Sequence, residues 1–558
     1  MPRMTGARFL VETMKAYGVT HAFYMPMVVT RALVEMEQVG IARIMAHSEK
    51  AAAYMADGYA RAAKRPAVCM AQNVGAANLA AGLQDPFLGG SPVVALTGRG
   101  DPSQQNRNYY QEVDHVQPFN AVTKFNALVD NPVEFPRLLR QAFREATSGA
   151  PGPTHLDFQG STGALIMDVE ADLNVVVESP FTHVPPFRGE PETDMVRDAA
   201  RALTEARRPV IVAGGGVCSS GAQQEVVELA EMLSIPVATS LNAKGSIPDD
   251  HPLSVGVCGT YSRWCANRVV SEADLVFFIG SHTGSQVTTE WQIPREGTPV
   301  IQLDIDPIEL GRSYPIQVGL QGDARASLRK LIEHLEPIGS RAEWVGRAQA
   351  LVQEWRDEVA PLANSDASPI RPERLCKEIS EFLPDDGVLL SDTGHSGIWT
   401  GTMIDLYKPT LTFLRCAGSL GWAFPAALGA KCAVPNRPVV CFTGDGGFWY
   451  HLSEMETAVR YGINTVTVIN NNHSLNQEKQ GNERAYESVG VTGNIDELWV
   501  FPDTDFAKLA EDMGGFGIRV ERPEDLQDAM TEAANSGKPA VVDVVTDIEG
   551  IAPRAWVG

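Results

Sequence analysis

One short stretch near the C-terminal end constrains the fold of this chain more than any other. An apolar run at 438–443 leads into Gly444-Asp445-Gly446-Gly447, and a helical segment follows at 452–461. A second apolar run at 465–469 leads into Asn470-Asn471-Asn472. This order predicts a βαβ unit, so both polar groups follow the C-terminal ends of parallel strands, where α/β sheets bind ligands.

The two polar groups have the chemistry of a combined cation and anion site. The Asp445 carboxylate and an amide oxygen of the asparagine triplet suit a hard divalent cation such as Mg2+. The glycines beside Asp445 let backbone N–H groups approach an anion closely. The segment therefore predicts a site for Mg2+ and a diphosphate.

Length and charge limit the domain organisation and the partners. A chain of 558 residues is too long for one core and predicts about three domains. Its net charge of −23 argues against a nucleic acid or an anionic membrane as partner. No segment offers ~18 uninterrupted apolar residues for a membrane span, and the first residues lack the apolar stretch of a secretory signal.

The eight cysteines favour an intracellular protein. They are scattered without a CxxC pair, and several, such as Cys69 and Cys441, lie in apolar stretches. Buried free thiols in a reducing compartment explain this distribution better than metal ligands do. We therefore expect a cytoplasmic location.

Apolar periodicity divides the chain into three α/β blocks, at 1–180, 192–340 and 369–550. A proline-rich stretch at 179–191 is typical of a linker, and 341–368 is predicted to cross between domains, first as a helix. Strand-length apolar runs alternate with helical segments in each block, which predicts a mostly parallel sheet flanked by helices. The clearest predicted strands are 21–24, 67–71, 92–97, 209–213, 275–279, 299–303 and 387–391, and the clearest helices are 6–17 and 49–63.

Together, these residues resemble the thiamine-diphosphate (ThDP) enzymes. The resemblance is carried by the GDG motif, the 27-residue interval from Asp445 to Asn472, the segment 415–427 and Glu49 in the first block. Length and block order are similar to the group of acetohydroxyacid synthase, benzoylformate decarboxylase and benzaldehyde lyase. This resemblance covers nearly the whole chain. It implies that the blocks are a pyrimidine-binding, a central and a diphosphate-binding domain.

Glu49 is the residue that the resemblance implies for cofactor activation. A glutamate at this place in the family hydrogen-bonds N1′ of the aminopyrimidine and so favours the tautomer that takes the proton from thiazolium C2. Such a glutamate needs an apolar pocket, which favours the shared proton. The chain departs from the family pattern because Ser48 is inserted between His47 and Glu49. Taken alone, Glu49 has a simpler explanation, as a helix-start carboxylate stabilised by the helix dipole.

The resemblance also implies how the cation and the diphosphate are held. The implied Mg2+ ligands are the Asp445 carboxylate, the Asn472 side-chain oxygen, chosen by the usual interval, and the Ser474 backbone carbonyl. Leu420 aligns with an apolar residue that keeps the cofactor bent, so that its amino group lies near C2; a core leucine is the alternative. The other implied cofactor contacts are Gly394, His395, Gly444, Gly446, Gly447 and Leu475, and His395 can equally be a turn histidine without chemical function.

Two further residues are candidates for substrate chemistry. Gln111 resembles a pocket glutamine of the lyases and synthases. Glu478 lies where pyruvate decarboxylases place an acid, and it could transfer a proton at the reacting centre; a solvated surface glutamate is the alternative. Val28 and Gln72 stand where benzoylformate decarboxylase has polar relay residues, which argues against that activity.

The residues of the central block do not decide whether it binds a second cofactor. Gly214-Gly215-Gly216 follows a predicted strand, but it lacks the full GxGxxG pattern. Asp304 and Asp306 end another strand and could accept ribose hydroxyls. Acetohydroxyacid synthases bind FAD in this domain, whereas the decarboxylases keep it empty, so FAD stays an open alternative.

The implied activity is cleavage or formation of a C–C bond beside a carbonyl of a 2-keto acid or aldehyde. In the synthase version, a 2-keto acid loses CO2 and the remaining unit joins a second carbonyl compound. A simple decarboxylase, an aldehyde lyase, a sulfoacetaldehyde acetyltransferase and a dione hydrolase are alternatives, and a non-catalytic ThDP- or nucleotide-binding homologue is the alternative from another class. The family also implies a homodimer at least, commonly a homotetramer, with Glu49 and Asp445 of one site on different chains.

Overall fold

Three parallel six-stranded sheets organise the protein, as a computed structural model shows. The structure describes residues 3–26, 28–337, 339, 341–553 and 555–556. Residues 1, 2 and 27 of the first predicted block and 338 and 340 of the second lie outside this description. Each sheet is flanked by helices, which confirms the predicted α/β class.

The first domain has the sheet order β3-β2-β4-β5-β7-β6, and β1 pairs antiparallel with β8 beside it. Its strands are β1 (Arg3–Thr5), β2 (His21–Tyr24), β3 (Ala42–Met45), β4 (Ala67–Gln72), β5 (Val93–Gly98), β6 (Phe125–Val129), β7 (Thr154–Phe158) and β8 (Glu170–Asp172). Its helices are α1 (Gly6–Ala16), α2 (Thr30–Val39), α3 (Glu49–Ala63), α4 (Gly75–Gly82), α5 (Gln84–Gly89), α6 (Val116–Asn120), α7 (Phe135–Thr147) and α8 (Ala164–Met167).

The second domain has the order β11-β10-β9-β12-β13-β14. Its strands are β9 (Pro209–Ala213), β10 (Val237–Thr239), β11 (Ser254–Val257), β12 (Leu275–Ile279), β13 (Val300–Asp304) and β14 (Val318–Gln321). Its helices are α9 (Thr193–Glu205), α10 (Gly215–Ser220), α11 (Gln223–Leu233), α12 (Trp264–Glu272), α13 (Ser285–Thr288) and α14 (Ala324–Ile332). The long helix α15 (Ala342–Ala363) then leads to the third domain.

The third domain has the order β16-β15-β17-β18-β20-β19. Its strands are β15 (Val388–Ser391), β16 (Thr412–Arg415), β17 (Val439–Gly444), β18 (Val466–Asn471), β19 (Phe516–Val520) and β20 (Ala540–Val545). Its helices are α16 (Pro372–Phe382), α17 (His395–Thr402), α18 (Ala423–Ala433), α19 (Asp445–Trp449), α20 (Glu454–Tyr461), α21 (Lys479–Val489), α22 (Phe506–Asp512) and α23 (Leu526–Asn535). Short 3-10 turns lie at Pro102–Gln104, Ser161–Gly163, Ser179–Thr182, Leu241–Ala243, Asn476–Glu478, Ile495–Leu498 and Pro523–Asp525.

The predicted βαβ unit is present, with one addition. β17 and β18 are parallel neighbours, and Gly444 lies beside Asn470 in their register. The predicted helix at 452–461 begins at Glu454, and a separate short helix, α19, starts at Asp445 itself. The apolar runs of β9 and β12 are fully buried, as expected for strands covered on both faces.

The first and third domains pack tightly against each other through α3 and α18. Both helices are rich in alanine and glycine, and their facing residues belong to one buried core. A Cβ atom on Gly429 would overlap the carbonyl oxygen of Met55, and one on Gly58 would overlap that of Ala426. The two helix backbones therefore approach so closely that only glycine fits at these crossing points.

We predict that Gly429→Ala lowers the free energy of unfolding by about 1–3 kcal/mol, because the added methyl forces the two helices apart. Thermal unfolding of the cofactor-free protein measures this. Gly481→Ala is the matched control, since Gly481 lies in α21 with open space around its Cβ position. That control should be neutral or slightly stabilising, and equal unfolding midpoints for the two variants would contradict the account of the crossing.

Within the residues that the structure describes, no helix is both long and apolar enough to cross a membrane.

Candidate active site

A cavity of about 440 Å³ lies at the C-terminal edge of the third sheet. Its walls come mainly from the segments that follow β15, β16, β17 and β18. The sheet order places β15 next to β17, with β16 on the opposite side of β15, so this edge contains the topological switch point. The lining residues are Tyr261, Gln286, Thr393–Ser396, Ala417, Gly418, Leu420, Gly444–Gly447, Asn470, Asn472 and Ser474–Glu478.

Asp445 is the buried carboxylate of this cavity. One of its oxygens accepts the Gly446 N–H at 2.7 Å and the other accepts the Ser474 N–H at 2.8 Å. Burial raises the pKa of Asp445 to about 7, opposed by these backbone N–H groups. No cationic side chain among the described residues pairs with it. A buried carboxylate without a positive partner is costly, and a bound cation would offset that cost.

Because side chains alternate along β18, the three asparagines do not all face the cavity. Asn470 and Asn472 line the cavity, whereas Asn471 points away and donates to Asp543 at 2.8 Å. The Oδ1 of Asn472 accepts the hydroxyl of Ser474 at 2.9 Å, and the buried Oδ1 of Asn470 has no hydrogen-bond partner among the described residues. Amide oxygens thus face the same space as the Asp445 carboxylate. The described residues contain no cluster of three or more His, Cys, Asp or Glu side chains suited to a metal, so a cation beside Asp445 would also need amide and carbonyl oxygens.

The turn after β15 lines the cavity. Gly394 has a φ of +65°, which favours glycine, and it caps the eight-residue helix α17 that begins at His395. The ring of His395 is mostly buried, its Nδ1 has no hydrogen-bond partner in the described part of the chain, and burial lowers the pKa of His395 to about 4. A neutral imidazole at this helix start leaves the backbone N–H groups as the donors for an anion.

Asp392 is a residue that sequence reasoning missed. It is 1% exposed, and its carboxylate accepts the backbone N–H groups of Thr393, Gly421 and Ala423 at 2.8, 3.0 and 3.1 Å. Burial raises the pKa of Asp392 to about 6. The side chain therefore ties the turn after β15 to the segment that carries Leu420.

Leucines cover the cavity from two sides. Leu420 is half-buried in the segment before α18, and Leu475 lies against Gly446 so closely that a Cβ there would overlap its side chain. Both side chains line the cavity. The residues predicted as apolar contacts and those predicted as cation ligands therefore line one cavity.

Glu478 lies at the rim of the cavity. It is the last residue of the 3-10 turn Asn476–Glu478, it is exposed, and it lines the opening. Asn476 anchors this turn because its amide donates to the carbonyl of Ile548 at 2.7 Å. A carboxylate here can reach a molecule that occupies the cavity.

Glu49 and Gln111 do not lie in this cavity within one chain. Glu49 starts α3, where Ser48 is the N-cap and accepts the Ala51 N–H at 3.1 Å. Its carboxylate accepts the Asn78 amide at 3.2 Å. Gln111 lies in the loop after β5, with a φ of +64°, and is likewise absent from the lining.

Through Asp57, helix α3 contacts the segment that carries Leu420. Asp57, on the same helix, accepts from the indole of Trp422, two residues after Leu420. Glu49 lies eight residues before Asp57, which corresponds to about 12 Å along the helix axis. Within one chain, the cavity that Asp445 and Asn472 line does not include Glu49.

Tyr261 and Gln286 of the second domain also line the cavity, and the sequence analysis did not single them out. Gln286 accepts from the guanidinium of Arg415 at 2.8 Å. Tyr261 packs against Gly397 and Gly401 of α17. Neither residue belongs to a recognisable motif, so their positions follow only from the way the second domain packs on the third.

A second cavity of about 440 Å³ lies between the three domains. Its lining includes Gly215, Gly216, Asp304 and, again, Tyr261 and Gln286, whereas Gly214 and Asp306 are not part of it. The glycine triplet forms the start of α10, with the N–H of Gly216 donating to the Gly280 carbonyl at 2.9 Å. Burial raises the pKa of Asp304, which accepts the Asp306 N–H at 3.0 Å.

Comparisons with known proteins define the class of protein. The chain matches the N-terminal TPP binding domain of thiamine pyrophosphate enzymes at residues 4–117, their central domain at 196–331 and their C-terminal TPP binding domain at 392–544. The chain therefore belongs to the thiamine pyrophosphate, or ThDP, enzymes, and the resemblance found in the sequence is confirmed.

Full-length relatives narrow the class further. The chain is 33% identical to a probable acetolactate synthase large subunit of Methanocaldococcus jannaschii, over 98% of this chain and 92% of the relative. It is 30% identical to acetolactate synthase of Arthrospira platensis, over 100% and 96% of the two chains. It is also 30% identical to acetolactate synthase isozyme 1 large subunit of Escherichia coli K12, over 98% and 95%.

Proposed function

We propose that this enzyme decarboxylates a 2-keto acid and joins the remaining unit to a second carbonyl compound, with ThDP and Mg2+. The observation that carries the proposal is the buried Asp445 carboxylate, which faces amide oxygens at a sheet edge without a positive partner. The names of the full-length relatives support the synthase version of the reaction. When bound, ThDP would serve as an electron sink, so that the former carbonyl carbon can keep the electron pair released as CO2 leaves.

The donor set of the cavity fits Mg2+. Asp445 and Asn472 would hold the ion by side-chain oxygens and Ser474 by its backbone carbonyl, with diphosphate oxygens and water completing the coordination. Each Asp445 oxygen already accepts one backbone N–H, which fixes the carboxylate and leaves lone pairs for the ion.

The remaining walls fit the cofactor. Backbone N–H groups of Gly447 and the Gly394–His395 turn would bind the diphosphate. The Gly446 N–H is already donated to Asp445, so Gly446 would serve the cofactor by its lack of a side chain, and Gly444 likewise keeps the strand end free of side-chain atoms. Leu420 would hold the thiazolium against the pyrimidine, and Leu475 would cover it. Together these residues would orient the cofactor and exclude water from its reactive carbon.

We further propose that Glu49 reaches the cofactor from a second chain. The absence of Glu49 from the cavity lining supports an active site that two chains share. The protein would then be at least a homodimer, and a homotetramer would contain two such pairs. Gln111 belongs to the same domain as Glu49 and would enter the shared site with it.

Glu478 is proposed to move a proton at the reacting centre. We predict that Glu478→Gln lowers kcat by about 10²-fold, because the neutral amide cannot transfer a proton. Steady-state kinetics with the preferred 2-keto acid measure this, with Glu483→Gln on the exposed helix α21 as control. Equal kcat for the two variants would show that Glu478 is a solvated surface carboxylate.

A panel of 2-keto acids, with and without aldehyde or keto-acid acceptors, tests the proposed reaction. With ThDP and Mg2+ present, NMR should show loss of the donor carboxyl and a ligated product when an acceptor is added. Aldehyde as sole product would identify a simple decarboxylase. Cleavage of a hydroxyketone, an acetyl phosphate product or hydrolysis of a dione would identify the lyase, acetyltransferase or dione hydrolase alternative. Absence of turnover with ThDP bound would identify a non-catalytic homologue.

The cavity between the domains is the place where FAD would bind. Backbone groups around Gly215 and Gly216 and the Asp304 carboxylate at a strand end have the chemistry that dinucleotides require. The visible absorbance of the purified protein tests this: a flavin spectrum would show that FAD is bound, and its absence would show a cavity without flavin. Retention of flavin through gel filtration is the result that assigns the site.

A further inference from the structure

The residues that lead into Glu49 are held by a helix of another domain. β3 of the first domain ends at Met45, whose N–H donates to the Tyr461 hydroxyl at 3.0 Å. The guanidinium of Arg460 donates to the Met45 carbonyl at 3.0 Å, and the N–H of His47 donates to Glu454 at 2.9 Å. All three partners lie on α20 of the third domain. The chain just before Glu49 is thus held by a helix of the third domain as well as by its own sheet, where the Ala46 N–H donates to the Tyr24 carbonyl at 3.0 Å.

Glu454 is the buried member of this contact. Its side chain is 0% exposed, and its second oxygen accepts the Thr457 hydroxyl at 2.8 Å. The backbone N–H of Ser48 also hydrogen-bonds to it, and burial raises its pKa against these donors. A buried carboxylate is tolerated when donors of this kind surround it. Two of its donors are consecutive backbone N–H groups, those of His47 and Ser48.

The Glu49 carboxylate itself has few contacts that fix its position, so the position of its backbone matters. The side chain is half-buried and accepts one hydrogen bond, from the Asn78 amide at 3.2 Å. Gly75 lies close beneath it, since a Cβ there would be 2.5 Å from Oε1. The reach of Glu49 is therefore set by where residues 47 and 48 place its backbone.

We propose that Glu454 is a positioning residue for Glu49. By accepting the N–H groups of His47 and Ser48, it fixes the start of α3 so that the Glu49 carboxylate meets the aminopyrimidine at hydrogen-bonding distance. The inference rests on the proposed role of Glu49 and deepens it. α20 belongs to the same βαβ unit as Asp445. Within each chain, this contact therefore connects the segment that carries Glu49 with the unit that carries Asp445.

The direct test is Glu454→Gln, which keeps the shape but replaces one accepting oxygen with an N–H2 group. We expect kcat to fall by about 10- to 100-fold, because a small displacement of a reacting group has that effect. ThDP affinity should stay within about twofold, since Glu454 does not touch the cofactor cavity. In the cofactor-free protein, hydrogen exchange of the His47 and Ser48 amides should become faster.

A double variant separates positioning from general stability. If Glu454 acts only through Glu49, Glu49→Gln/Glu454→Gln has the same kcat as Glu49→Gln alone. Additive losses would overturn the proposal. Glu378→Gln is the matched control, because Glu378 is a buried carboxylate of the same domain that binds Arg374 and Gln527 instead. It should leave kcat and the exchange of the His47 and Ser48 amides unchanged.

A milder variant guards against misfolding of Glu454→Gln. Thr457→Val removes one donor to Glu454 and keeps the carboxylate, and it should change kcat and amide exchange in the same direction by a smaller factor. Unchanged kcat and unchanged exchange in both variants, with an active wild type, would overturn the positioning role alone. A wild type that neither binds ThDP nor turns over a keto acid would instead overturn the proposed function.

Discussion

Replacing Glu49 with glutamine is expected to lower kcat by about 10²–10⁴-fold, because a glutamine cannot share the proton that drives the aminopyrimidine into its active tautomer. The fold and the binding of Mg2+ and ThDP should be retained, since Asp445, Asn472 and the diphosphate donors lie elsewhere. Titration calorimetry measures the affinity for ThDP, and steady-state kinetics with the best keto acid measure kcat.

A surface glutamate of the same domain provides the control. Glu145→Gln on α7 removes a carboxylate that pairs with Arg144 at 3.3 Å, and it should leave kcat unchanged. Exchange of the C2 proton of bound ThDP should slow in Glu49→Gln in parallel with kcat. Turnover near the wild-type value would show that Glu49 is only a helix-start carboxylate.

Replacing Asp445 with alanine is expected to weaken Mg2+ binding by at least about 100-fold. Loss of a residue that only hydrogen-bonds a metal ligand already lowers metal affinity by about 10–100-fold, and Asp445 is proposed as a ligand itself. ThDP affinity should fall with it, because the ion links the diphosphate to the protein. Calorimetric titration with Mg2+ at saturating ThDP measures the effect, and chelation of the metal from the wild type should reproduce the loss of ThDP.

The asparagine triplet supplies a matched pair for the same experiment. Asn472→Ala removes a side chain that faces the cavity, and it should weaken Mg2+ binding. Asn471→Ala removes one that binds Asp543 behind the strand, and it should lower stability without changing Mg2+ affinity. Equal effects of the two variants on Mg2+ affinity would contradict the proposed ligand set.

Local patterns were enough to predict the third sheet edge. The βαβ unit is continuous in sequence, so strand, motif and helix could be recognised together, and Asp445 and Asn472 do line one cavity. Within the triplet, only the alternation of β18 shows that Asn470 shares the cavity while Asn471 faces Asp543. That alternation depends on the strand register, which the apolar run alone does not set.

Features built from distant segments could not be predicted. Asp392 is one acidic residue after an apolar strand, and its partners Gly421 and Ala423 are reached only when the chain folds back. Tyr261 and Gln286 enter the cavity because the second domain packs there. Glu454 binds His47 across 407 positions of sequence. Such contacts follow from domain packing and leave no local signature.

Mixing two inactive variants shows whether two chains share each active site. Glu49→Gln and Asp445→Ala chains are unfolded, refolded together and assayed with saturating Mg2+ and ThDP. If the sites are shared, each mixed dimer contains one site with both changes and one with neither. Random pairing then restores about one quarter of wild-type activity. Activity no higher than that of the separate variants, with mixed dimers demonstrated by mass spectrometry, would contradict the account.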